Sequence, residues 1–369
     1  MRITKARFLA VAAAVTVTGT PALAEPVVVT DIPPVHSLVA RVMQGVGEPT
    51  LILPPGASPH GYAMRPSEAA ALSDADVVFW VGPELTPWLD RAIETLGTNA
   101  KAVELLEAPG TVHLEFREGA TFEAHHHGDE EHDGHGHDEA GHDDHDHDDH
   151  GDGAHEHAEH DHDGDEDHAA HDDHEGHDHD DHEGHGHDEH ADAHGHDHHG
   201  VDPHAWLDPE NGKVWLTAIA ETLAQADPDN ADAYRANAAD ASGELDALTD
   251  TISGTLEPVR GKPFIVFHDA YHYFENRFDI EAAGAVSLSD ASKPGPARVK
   301  EIRDTIVSLG AACVFAEPQF PPALITTLIE GTDAREATLD PLGTEIEPGP
   351  ALYPALLTDL AANLSDCLD

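Results

Sequence analysis

Past the first two dozen residues, short apolar runs alternate with longer stretches whose apolar positions recur every three or four residues. That alternation predicts an α/β layer fold with mostly parallel sheets. Strands are predicted at Val27 to Thr30, Leu51 to Leu53, Val77 to Val81 and Ala102 to Leu105, with helices at Pro34 to Gln44, Pro66 to Leu72 and Glu84 to Leu96. Pro66 followed by Ser67 and Glu68 is a helix start, because proline lacks an N–H that the first turn leaves unused. A helix is predicted from Glu210 to Gln225, and the stretch from Asn230 to Leu256 reads as one helix of roughly 40 Å at 1.5 Å per residue. The alternation then returns, with strands at Phe264 to Phe267, Ile280 to Ala283, Cys313 to Ala316 and Ala337 to Leu339. Helices are predicted at Ala297 to Ser308, Pro322 to Ile329 and Tyr353 to Asn363.

Two segments break the pattern. At the start, Arg2, Lys5 and Arg7 precede an apolar run from Phe8 to Gly19 and the small-residue motif Ala22-Leu23-Ala24, which reads as a secretory signal peptide cut after Ala24. The run is far short of the ~20 residues a spanning helix needs, so export to the periplasm is expected. From about residue 122 to 200 the large apolar residues vanish, and His125 to His199 contains 27 histidines, 30 acidic residues and no lysine or arginine. Such a segment cannot build a core and is an insertion. The expected organisation is a signal peptide at 1–24, a first α/β lobe at 25–229 holding the insertion at 122–200, a linking helix at 230–258 and a second α/β lobe at 259–369. A single stiff helix between lobes favours small tilting over wide hinge motion.

The formal net charge of −55 repels nucleic acid and anionic membranes and suits a cationic ligand. Only two cysteines occur, Cys313 and Cys367. In an oxidising compartment, and without CxxC spacing, they are expected to form a structural disulfide.

Outside the insertion six histidines remain: His36, His60, His113, His204, His268 and His272. His60 lies in a turn-rich loop after a strand, His204 in the segment that re-enters the fold, and His268 directly after a buried strand. Ligands in open α/β sheets bind outside the carboxyl ends of strands, so these three are the candidate ligands of a metal held between the lobes. Imidazole nitrogen suits Zn²⁺, and a tetrahedral ion with three histidines needs one further oxygen. Asp340, at the end of a predicted strand, could supply it, or Asp340 could cap a turn and leave the place to water. His36 and His113 read as structural. His272, four residues after His268, is expected to support the site or pack beside it. The His268–His272 spacing resembles a zinc-protease motif, but Asp269 stands where that chemistry wants glutamate. Histidines and carboxylates repeated every two or three residues from His125 to His199 make many weak, overlapping sites, a segment suited to accessory metal capture.

These residues resemble the periplasmic binding proteins of zinc and manganese importers. The resemblance spans nearly all of the chain after residue 24 outside the insertion. It rests on Gly56-Ala57-Ser58-Pro59-His60 with Met64-Arg65-Pro66-Ser67, Trp80-Val81-Gly82-Pro83-Glu84, and His204-Ala205-Trp206-Leu207-Asp208-Pro209. Val266-Phe267-His268-Asp269-Ala270-Tyr271, Phe315-Ala316-Glu317-Pro318-Gln319-Phe320 and Leu339-Asp340-Pro341-Leu342-Gly343 complete it. It implies two lobes joined by a long helix, metal between them, and a membrane permease with its ATPase as partners. It matches the family's metal histidines to His60, His204 and His268. Manganese members carry a carboxylate at the third position, and the nitrogen ligand here favours zinc. A family aspartate ligand, not used by all zinc members, matches Asp340, and Pro59 stands where some zinc members have an acidic residue. The matching cysteines of zinc members are bridged. The expectation is a monomeric zinc-capture protein, not an enzyme. The competing expectations are a zinc-dependent hydrolytic enzyme and a metal store or chaperone working through the histidine-rich segment alone.

Overall fold

The computed structural model describes residues 25–117, 122, 200–287, 294–320 and 323–369. The signal segment, the histidine-rich insertion and the predicted helix start at Pro322 lie outside them. The first lobe runs β1 (Val28–Thr30), α1 (Pro33–Val42), β2 (Thr50–Leu51), α2 (Pro66–Ser73), β3 (Val77–Trp80), α3 (Pro87–Thr95), β4 (Lys101–Glu104) and α4 (Pro209–Ala226). Helix α5 (Ala231–Leu256) leads into β5 (Phe264–His268), α6 (His272–Phe278), β6 (Gly284–Ser287), α7 (Pro296–Leu309), β7 (Cys313–Ala316), α8 (Ala323–Ile329), β8 (Arg335–Thr338) and α9 (Leu352–Leu368). Each lobe carries a four-stranded parallel sheet, ordered β2-β1-β3-β4 in the first and β6-β5-β7-β8 in the second, so the same winding occurs twice.

Inner strands are covered on both faces, and their sequences show it: Val77 to Trp80 and Phe264 to His268 are buried at every position, the continuous apolar run expected of a parallel strand. The edge strands β4 and β8 carry Lys101, Glu104, Arg335 and Glu336, charges that discourage pairing with another chain. At the end of β1 the buried Asp31 accepts hydrogen bonds from Ile32 N at 2.7 Å and Val81 N at 2.8 Å, tying β1 to the exit of β3. Burial pushes its carboxyl up to about 7.

Helix α5 buries Tyr234, Ala238, Ala241, Leu245, Ile252 and Leu256, one stripe at three- and four-residue spacing. The stripe belongs to an apolar core that continues from Val35 of α1 through Trp215 of α4 to Phe274 of α6 and Leu357 of α9. Helix α5 joins the two lobes as expected, and helix α9 adds a second tie by packing on α1 and α5 as well as on β8. A disulfide joins Cys313 of β7 to Cys367 of α9.

Two predicted elements shift, and one element is new. The strand expected at Ile280 to Ala283 lies instead at Gly284–Ser287. Asp279 adopts a left-handed conformation that ends α6, Ile280 and Ala282 then bury their side chains in the connecting loop, and pairing begins only at Gly284. The helix expected from Glu84 begins at Pro87, because Leu85 N and Thr86 N first close a turn onto Gly82 O. Helix α6 was not predicted from periodicity at all, being only seven residues long.

Candidate metal centre

The ends of three separate segments meet at the carboxyl edges of the two sheets. The loop after β2 carries His60. Its course is fixed by Trp88 of α3, whose Nε1–H donates to Pro59 O at 2.7 Å, and by Tyr62, whose hydroxyl donates to Glu68 of α2 at 2.9 Å. Glu68 also accepts from Arg65 N at 2.7 Å, so the side chain that caps the start of α2 anchors the loop as well.

His204 sits where the chain rejoins the fold. Glu115 and Val201 pair as an antiparallel bridge, which closes the base of the insertion. The following turn, Ala205–Leu207, is held from the second lobe: Trp206 Nε1–H donates to Pro341 O at 2.8 Å, and the Tyr353 hydroxyl of α9 donates to Trp206 O at 2.7 Å. Arg277 of α6 forms a two-pronged ion pair with Asp208 at 2.7 and 2.8 Å. The aromatic and acidic residues after His204 thus serve to lock one lobe to the other.

His268 is the last residue of β5 and belongs to the strand rather than following it. Strand β7 lies beside β5, and the residue just beyond β7 is Glu317, whose Oε1 lies 2.7 Å from His268 Nδ1. Asp202 Oδ1 lies 2.7 Å from His204 Nδ1. Both carboxylates are buried, and each accepts a hydrogen bond from the Nδ1–H of its histidine, leaving the Nε2 lone pair for a cation. Burial, followed by the neighbouring His268, holds the His204 imidazole well below its usual range. Burial raises the Asp202 carboxyl to about 7.

The three rings converge. His204 Nε2 lies 3.4 Å from both His60 Nε2 and His268 Nε2, and the ligand atoms of all three lie within 4.8 Å of one another. Two nitrogens bound tetrahedrally at 2.0–2.1 Å to one zinc stand about 3.3 Å apart, so the 3.4 Å spacing fits that ion. The walls around the rings are largely apolar, with Pro59, Trp206, Phe320, Pro341 and Leu342 beside Glu317 and Gln319.

The remaining candidates fall elsewhere. Asp340 turns into its own loop and accepts from Leu342 N at 3.0 Å, from Thr344 N and from Gln319 Nε2 at 3.3 Å. His272 opens α6 instead of sharing a helix with His268, and its Nδ1 lies 3.9 Å from Oδ2 of Asp202, the carboxylate that also faces His204. Asp269 is committed to Arg117, which also binds Glu275 at 2.6 Å. His36 packs with Nε2 against Pro49 O, and His113 with Nε2 against Leu106 O. The supporting carboxylates went unread in the sequence. Asp202 was within reach, two residues before His204, whereas Glu317 requires knowing that β7 neighbours β5.

Among known proteins, the profile of the family described as periplasmic zinc-uptake complex component A, ZnuA, matches residues 28–367. The high-affinity zinc uptake system protein ZnuA of Brucella abortus (strain 2308) is 47% identical over 341 residues, covering 92% of this chain and 91% of that one. The protein of the same description from Paracoccus denitrificans (strain Pd 1222) is 47% identical over 362 residues, covering 98% and 97%. A crystal structure of ZnuA superposes with a TM-score of 0.63 at 21% identity, over 93% of this chain and 100% of that one, a likeness of fold.

Proposed function

This chain belongs to the ZnuA family of periplasmic zinc-uptake components, and from that premise we propose that it captures Zn²⁺ in the periplasm and delivers it to an ABC-type membrane importer. His60, His204 and His268 hold the ion, and the signal segment at 1–24 is removed on export. The lobes act as 25–229 and 259–369, linked by 230–258, on a monomer that docks a permease coupled to a cytoplasmic ATPase. The observation that carries the reading is the 3.4 Å convergence of three Nε2 atoms supplied by both lobes.

Zinc is cargo here, and the residues fit it. Two buried carboxylates, one behind His204 and one behind His268, match the charge of a divalent cation when both are ionised, and they fix the tautomers that bind it. A hydrolytic role would need a free acid or base beside the ion. The two acids nearest in sequence to His268 and β7 are both engaged, Asp269 by Arg117 and Glu317 by His268, which supports binding without turnover. The segment His125 to His199 serves as an accessory, low-affinity collector that raises zinc concentration beside the tight site.

The test is a zinc titration against a competing chelator, on the mature protein with and without residues 125–199. One tight equivalent should survive the deletion and vanish in His268→Ala. Loss of the tight equivalent on deletion would make the protein a store working through the histidine-rich segment.

A further inference from the structure

Three histidines leave a tetrahedral zinc one oxygen short. Gln319 lines the same recess as His60, His204 and His268. It sits in a turn fixed on both sides: Glu317 before it holds His268, and Phe320 after it stacks on Phe267 with ring centroids 4.1 Å apart. The two ends of the Gln319 amide differ. Its Nε2 donates to Asp340 Oδ1 at 3.3 Å and to Thr344 Oγ1 at 3.2 Å, whereas its Oε1 is buried with no hydrogen-bond partner among the described residues. Asp340 in turn is held by Leu342 N and Thr344 N. A carboxylate only accepts hydrogen bonds, so Asp340 forbids the flipped amide, which would set one acceptor against another. A buried acceptor left unsatisfied is costly, and this one belongs to a residue that lines a site wanting an oxygen ligand.

We propose that Gln319 Oε1 accepts a hydrogen bond from the water that completes the zinc coordination, and that Asp340 is a positioning residue that fixes the Gln319 amide instead of ligating the metal. This rests on the reading of His60, His204 and His268 as the zinc ligands. It gives Asp340 a part in the site without moving it out of its turn. It also makes the fourth position depend on a neutral oxygen, so the charge of the loaded site is set by the two buried carboxylates behind the histidines.

The test is a double-mutant cycle on the full mature chain, with tight zinc affinity read by chelator competition and Co²⁺ visible spectra recorded in parallel. Thermal unfolding of the metal-free variants reports on folding. Q319L should weaken zinc binding roughly 10- to 100-fold, the usual cost of losing an outer hydrogen-bond partner, while its cobalt spectrum stays four-coordinate. D340N frees the amide to turn and should weaken binding in the native background, yet add little in Q319L, because both changes remove the same hydrogen bond. Equal losses from D340N in both backgrounds would overturn the proposal and make Asp340 a ligand, as would a cobalt spectrum that loses a ligand only in D340N. Full affinity in Q319L would overturn it too. Failure of the underlying ligand assignment has a separate signature, an unchanged tight equivalent in His268→Ala.

Discussion

A histidine binds a metal best when something holds its second nitrogen. Asp202 and Glu317 do this for His204 and His268, each 2.7 Å from Nδ1. Removing either carboxylate leaves all three candidate ligands in place but releases a ring to rotate and to choose its other tautomer. Asp202→Ala and Glu317→Ala should therefore each cost roughly 10- to 100-fold in zinc affinity, measured by chelator competition, with one equivalent still bound. The candidate ligands were legible in the sequence because each stands at a punctuation point, after a proline-rich turn, between prolines, or at the end of an apolar strand. Their partners were not. Glu317 is 49 residues from His268, and only the β5–β7 pairing brings the two together. For Asp340 the sequence left turn cap and ligand both open, since an aspartate before Pro341-Leu342-Gly343 suits either, and its hydrogen bonds in the fold are those of a cap.

Elements were legible to the extent that their own periodicity exceeded the noise of their neighbours. The buried strands β3 and β5 and the long α5 were found nearly to the residue, because four or more consecutive apolar positions, or a stripe sustained over many turns, admit few alternatives. The seven-residue α6 and the four-residue β6 were not, because Ile280 and Ala282 are buried from a loop and mimic a strand. Close contact between elements also leaves its mark on single residues. At Gly212 of α4 an added Cβ would stand 2.5 Å from the hydroxyl oxygen of Tyr353 and 2.9 Å from its ring, while that hydroxyl is bound to Trp206 O. Gly212→Ala raises helix propensity but drives α4 from α9, and the overpacking term is the larger. A loss of about 1–3 kcal/mol is expected, visible as a lower urea midpoint at unchanged slope.

Across the whole molecule two kinds of histidine coexist, and pH separates them. Those between His125 and His199 sit among carboxylates in a segment with no core-forming residues, and an ordinary imidazole takes up a proton near pH 6.5. Burial holds His204 well below that value, so it stays neutral and able to bind as the pH falls through the range in which ordinary histidines charge. Lowering the pH from about 7.5 to about 5.5 should strip the weak zinc equivalents first and leave the tight one, which equilibrium dialysis at the two values would count.

The second strap between the lobes changes the mechanics of the cycle. With α9 packed on α1 and α5, and one apolar core running through both halves, the body resists being pried apart. A stiff clamp of this kind does not let go by its own breathing. The work of opening it must come from outside, so under the proposed function the timing of zinc release belongs to the importer that receives the ion.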